Sequence, residues 1–207
     1  MYKRQEDNII ELKQGEVLLR TNDEIKCLYL ILSGETDIYS RYGRISTSAG
    51  SILGLSGSLY GLSLYNYVAK SDCTLRKFTV SGISDLEKIL REYPDMVPDI
   101  VILNEHFIME LIKLYLSMMI KCKRKDPSFT PDSRLNKWVL DKHNGIASIP
   151  EDIKKAYFGA NISNSAGIII ENTEFINLLH EICLDMSELL GINNDYIPKP
   201  VSYTHLR

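Results

Sequence analysis

Residues 27–39 read Cys27-Leu-Tyr-Leu-Ile-Leu-Ser-Gly-Glu-Thr-Asp-Ile-Tyr39, and this stretch decides the fold. Two apolar-rich segments flank Ser33-Gly34, the pattern of two β-strands joined at a tight corner. Working outward, further strand-like segments lie at Glu16–Arg20, Arg44–Thr47, Tyr65–Lys70 and Thr74–Thr79, with the strand region opening at Ile9. Many short strands broken by Gly, Asn, Asp and Ser predict a barrel or jelly roll.

Beyond Val80 the period changes. Leu86, Ile89 and Leu90 give Ser84–Glu92 a helical face, and Pro94 follows as a stop. Ile100–Lys121 predicts a long helix with two apolar stripes. One runs Leu103, Phe107, Leu111, Leu114 and Met118; the other runs Val101, Ile108, Ile112, Tyr115 and Met119. A helix wetted on one side needs only one stripe, so two suggest burial against the barrel and against a partner helix; the alternative is a helix sunk entirely in its own domain. The run Lys121-Cys-Lys-Arg-Lys125, then Pro127 and Pro131, marks a boundary of the solvated-helix-end kind. Past it, Ser133–Lys142 and Glu174–Leu190 read as helices, and Ile146–Asn172 is ambiguous. Val201–Arg207 resembles translated adapter sequence and is set aside as a non-native scar.

Composition narrows the function classes. A 207-residue chain with 44% hydrophobic residues can build a substantial core, and its net charge of -3 gives no global attraction to nucleic acid or membrane. No apolar run is long enough for a membrane span and no signal-peptide core is present, so a cytoplasmic location is expected. The cysteines at 27, 73, 122 and 183 form no C-x-x-C pair, which argues for buried thiols rather than a metal or iron–sulfur site. No histidine precedes His106, so a metal-dependent barrel enzyme lacks its ligands, and His106 itself reads as a structural residue at a packed helix seam. No catalytic residue, cofactor or metal is expected, and the chain is expected not to be an enzyme.

Three motifs in order carry a family resemblance: Gln14-Gly15-Glu16, Leu28-Tyr29-Leu30-Ile31-Leu32-Ser33-Gly34, and Ala49-Gly50-Ser51-Ile52-Leu53-Gly54. Their glycines suit tight barrel corners that need backbone angles other residues adopt at a cost. Residues 9–122 thereby resemble the effector half of Crp/Fnr-type transcription regulators. The resemblance implies an α+β chain: a cyclic-nucleotide-binding-type jelly roll (double-stranded β-helix), a long dimer helix, and a mostly helical C-terminal region. It divides the chain into a sensor barrel with dimer helix (1–122), a linker (123–132) and an incomplete helix-turn-helix-like region (133–200). The dimer seam would be Leu103, Phe107, Leu111, Leu114 and Met118.

The ligand cassette departs from that family. Its members carry a Glu after the last glycine for the ribose and an Arg further on for the phosphate. Here Leu55 follows Gly54, Ser63 takes the Arg position, and no Lys or Arg occurs between Arg44 and Lys70. The degenerate effector pocket, Gly54, Leu55, Ser56, Gly57, Ser58 and Ser63, therefore suits a neutral or apolar effector, or none, rather than a cyclic nucleotide.

The resemblance also implies a helix-turn-helix, best matched by Leu184–Ile197. Met186, Leu190, Ile192 and Ile197 take the buried positions, Ser187 the small one and Gly191 the turn. Asn193, Asn194 and Tyr196 are the DNA-contact candidates, with Pro198 cutting the second helix short. An earlier candidate, Glu151–Ile168 around Gly159, places Lys154 and Lys155 where small and apolar residues belong. The expected function is an effector-sensing, DNA-binding regulator, homodimeric and independent of cyclic nucleotides. The alternative is a non-enzymatic dimeric sensor or scaffold whose C-terminal helices bind protein.

Overall fold

A computed structural model describes residues 8–130 and 161–192. Eight strands come first: β1 (Ile9–Leu12), β2 (Val17–Leu19), β3 (Cys27–Ser33), β4 (Glu35–Ser40), β5 (Gly43–Ser48), β6 (Ile52–Leu53), β7 (Asn66–Ala69) and β8 (Cys73–Thr79). They pair antiparallel in two four-stranded sheets, ordered β1-β8-β3-β6 and β2-β7-β4-β5. This is the jelly-roll sandwich expected from the sequence. The short strand β6 was not anticipated.

The corner at Gly34 works as its sequence suggests. Gly34 has φ +91°, and an added Cβ would meet the backbone of Asp72 and Cys73. β3 and β4 thereby enter different sheets, one pairing β8 and the other β7.

The continuous apolar run of β3 has a physical cause. A strand wetted on one face alternates, whereas a strand covered on both faces does not. Leu28 and Leu30 are fully buried against Leu86, Ile89, Leu90 and Val97 of the following helices. Ile31 faces the other way, into the barrel interior with Leu53 and Leu75. Each such buried leucine contributes about 2 kcal/mol of burial.

Among the described residues three α-helices cover the sandwich: α1 (Leu86–Glu92), α2 (Val97–Lys125) and α3 (Ile162–Leu190). Pro94 ends α1 as expected, but α2 starts three residues before Ile100, with Pro98 in its first turn, where its missing N–H costs nothing. The basic run 121–125 is the solvated last turn of α2, where cations suit the helix dipole. All four cysteines are buried free thiols, as expected.

α3 begins twelve residues earlier than Glu174, taking in the end of the ambiguous segment. Asn161 caps it, its side chain accepting from the Asn164 N–H at 3.0 Å. Gly191 closes it in the left-handed conformation (φ 70°), donating to Glu188 O while Ile192 N donates to Ser187 O. α3 runs beside α2 in the same direction: Asn172 bonds Asn104 (3.0 Å), and Lys125 Nζ reaches Leu189 O. Its apolar residues enter both cores, Phe175, Ile176, Leu179, Cys183 and Met186 in one, Ala166 and Ile169 in the other. α3, which lies within the 133–200 unit that the family resemblance sets apart, thus shares its core with the barrel. Ser133–Lys142, the Gly159 candidate's centre and Val201–Arg207 lie outside the described residues.

Candidate functional site

Gly54, Leu55, Ser56, Gly57 and Ser58 form a buried turn between β6 and β7. Gly54 opens it at φ 91°, Leu55–Gly57 make one 3-10 turn, and Ser58 Oγ donates back to Leu55 O at 2.6 Å. Gly57 is required by space: a Cβ there would collide with the Leu62 carbonyl oxygen. Ser56 Oγ shares a hydrogen bond with Tyr67 OH (3.0 Å), and burial raises the Tyr67 phenol. Leu55 is buried among the core leucines. Ser63 points its Oγ at Tyr65 O (2.8 Å), and its backbone pairs with Asn22 and Asp23.

The space beside this turn is a cavity of about 40 Å³, bounded by Leu55, Ser56 and Tyr67 of the barrel. Leu103 and Phe107 of α2 and Ile176 of α3 close it. Ligand pockets for drug-sized molecules run to several hundred cubic ångströms, roughly 300–1,000. The space left here holds a water or two.

The eight strands, this turn and α1 correspond to one known family. Residues 9–90 match the family described as the cyclic nucleotide-binding domain. No curated protein matches the chain. Solved structures do. A regulatory subunit of a cAMP-independent protein kinase A from Trypanosoma brucei shares 25% identity over 34% of this chain and 27% of its own, at TM-score 0.33. A cyclic nucleotide-binding-like protein from Brucella abortus shares 23% over 40% of this chain and 74% of its own, at TM-score 0.30. The sensor domain of the transcriptional regulator DNR from Pseudomonas aeruginosa shares 16% over 35% of this chain and 55% of its own, at TM-score 0.32. The chain therefore spans about a quarter of the kinase subunit and about half of the DNR sensor.

The residues expected to form a dimer seam make contacts within the chain. Leu111 and Met118 are buried in a core that includes α3, Leu103 and Phe107 line the small cavity, and Leu114 packs on Gly43 of β5. Two stripes on α2 called for two covering surfaces, and within the chain the barrel and α3 both pack against α2. His106 corrects another expectation: it is exposed on α2 rather than held in a seam.

Among the DNA-contact expectations, Met186 and Ser187 are buried in the face of α3 that meets the rest of the domain, with Met186 O beside Cys122 Sγ (3.9 Å). Gly191 does end a helix, as a turn residue would. Asn193, Asn194, Tyr196 and Ile197 lie outside the described residues. No described helix is long and apolar enough to cross a membrane.

A polar cluster that no sequence motif announces lies between barrel and α3. Tyr42 OH lies 3.2 Å from Tyr65 OH and 2.7 Å from His180 Nδ1, and Tyr65 stacks edge-on to the imidazole at 4.9 Å. We assign the Tyr65 proton to Tyr42 and the Tyr42 proton to His180 Nδ1, since Tyr65 has no other hydroxyl partner among the described residues. Nε2 then carries the imidazole proton. Burial lowers the His180 pKa from 6.5 to about 4, keeping the ring neutral near pH 7, and raises both phenols. The signal that could have found it is a lone His180 amid the Leu178-Leu179 run of an apolar helix, 138 residues from its tyrosine partner.

Proposed function

We propose that this chain is a non-enzymatic sensor and interaction module that has kept the cyclic nucleotide-binding fold and given up the nucleotide. One observation carries the proposal: the space beside the cassette is reduced to about 40 Å³ by Leu55, Leu103, Phe107 and Ile176. Chemistry supports the same reading, because a buried phosphate needs a cation or several aligned donors. Ser63 stands where the resemblance expects the cation, with its hydroxyl already committed to Tyr65 O. Calorimetric titration with cyclic AMP and cyclic GMP should give no binding heat. Micromolar binding of either nucleotide would refute the proposal.

A second reading, the DNA-binding regulator, is favoured by Gly191. A left-handed glycine ends α3 at the position where a helix-turn-helix needs its turn. On that reading α3 supplies the first helix of the motif, and Asn193, Asn194 and Tyr196 begin the second. A homodimer through Leu103, Phe107, Leu111, Leu114 and Met118 would require α3 to leave α2. Promoter DNA binding that weakens steeply with salt, in a particle of twice the monomer mass by light scattering, would promote this reading to first place.

A further inference from the structure

A second concavity lies apart from the cassette cavity, between the loop end of the barrel and the C-terminal half of α3. It is a cleft of about 780 Å³, a volume suited to a small organic ligand. Leu62, Leu64 and Leu184 supply apolar wall; Arg20, Asn66 and His180 supply donors.

Two of those donors are nearly buried and unpaired. Asn66 is 9% exposed; its Oδ1 accepts from Thr21 N at 3.0 Å, and its Nδ2 has no hydrogen-bond partner among the described residues. His180 is 6% exposed; its Nδ1 is taken by Tyr42. The proton order assigned above places a donor N–H on Nε2, which likewise has no partner among the described residues. Neither atom is sealed from solvent, and both residues line this one cleft. Both donors open onto one wall of the cleft, where an acceptor group could meet them together. The guanidinium of Arg20 faces the same cleft with no acceptor of its own among the described residues.

The acids of the cleft are already engaged. Asp23 accepts from the Arg20 backbone N–H at 2.7 Å, and Glu181 accepts from Tyr60 OH at 3.4 Å. Arg41 pairs with Glu188 at 3.6 Å. The polar demand left over is for acceptor oxygens, beside leucine side chains.

We propose that this cleft binds a small molecule bearing a carboxylate on a short aliphatic body, the carboxylate seated on Asn66, His180 and Arg20. The inference goes beyond the function proposed above and does not depend on it, since nucleotide binding at the cassette would leave this cleft unchanged. A free amino acid and a simple fatty acid share this chemistry. The zwitterion would also place its ammonium near Asp23 or Glu181.

The test titrates the isotope-labelled full chain with leucine, isocaproate and isoamylamine. It follows the His180 imidazole resonances and the backbone amides of residues 20–23 and 62–66. A saturable shift of these resonances with leucine or isocaproate is expected. Binding of leucine alone identifies a zwitterion site, and binding of isocaproate a plain acid site. Asn66→Asp keeps the acceptor for Thr21 N but replaces the donor with a repelling carboxylate, and should weaken acid binding by about tenfold or more. Arg20 is exposed and its side chain has no partner among the described residues, so Arg20→Gln should weaken binding in a folded chain even if the Asn66 variant misfolds. The proposal is overturned if neither acid shifts His180 at millimolar concentration, if isoamylamine binds instead, or if the folded variants bind the acids as tightly as the parent.

Discussion

Acidification should loosen the seat of α3 through one residue, His180. Its folded pKa of about 4 lies below the unfolded value of 6.5, because burial disfavours the charged ring. The unfolded chain therefore takes up this proton first as pH falls. Stability contributed by the neutral ring is complete above the unfolded value and is lost as pH drops from there toward the folded one. Linkage between these two values gives a loss of about 2 kcal/mol between pH 7 and pH 5, and about 3 kcal/mol over the whole window. No carboxylate is recorded against the imidazole to offset this; its described contacts are Tyr42 and Tyr65.

Urea unfolding of the parent and of His180→Gln at pH 7, 6 and 5 measures the effect. Glutamine can still accept from Tyr42 but does not titrate in this range. Exposed carboxylates such as Asp72, Asp85 and Glu87 also titrate on acidification, with pKa values lowered by Lys13, Lys88 and Arg91 respectively. They are common to both proteins and cancel in the difference. The gap between the two proteins should close by about 2 kcal/mol from pH 7 to pH 5. Parallel pH dependences would show that His180 is hydrated in the fold and that the reasoning is wrong.

Two further outcomes bear on the same interfaces. Asn177 is 2% exposed on α3, and neither its amide nitrogen nor its oxygen has a partner among the described residues. Asn177→Leu should stabilise the chain by about 1–3 kcal/mol in urea unfolding, and a loss of stability would show that the amide is satisfied in solution. Gly57→Ala should destabilise by about 1–3 kcal/mol, because its Cβ meets the fixed carbonyl of Leu62. An alanine variant with the parent's unfolding midpoint would mean that the cassette turn is looser than described.

The barrel was legible because its information is local. Apolar runs end at glycines whose positive φ angles the chain needs, as at Gly15, Gly34, Gly50 and Gly54, and each corner announces itself within a few residues. Leu55 and Ser63, which stand where the resemblance expects the nucleotide anchors, can be read off the cassette for the same reason. Closure of the cavity was not. It depends on Leu103, Phe107 and Ile176, which lie about 50 to 120 residues beyond the cassette and meet it only in the folded chain. The two stripes of α2 stated that two surfaces would be covered, and a stripe carries no label for what covers it.

The start of α3 was hidden by its own chemistry. Its buried face includes Ser165, Asn172, Thr173, Asn177, His180 and Ser187, so the hydropathy period that reveals an amphipathic helix is blurred. Some of these groups are satisfied locally: Thr173 Oγ1 donates to Ile169 O and Ser187 Oγ to Leu184 O. Asn172 is satisfied across the interface by Asn104, and His180 by Tyr42. Asn177 is not. A helix meant only to seal a core would gain from leucine at such positions, since removing an unpaired buried amide is favourable. The polar face instead fixes how α3 sits, because slipping it along α2 would break the bonds of Asn172 and His180 together. It also leaves the seat weaker than an apolar one and open to titration at His180. The features that made α3 hard to read are thus the ones that tie its position to conditions around the protein, with His180 placed at once against the barrel tyrosines and the open cleft.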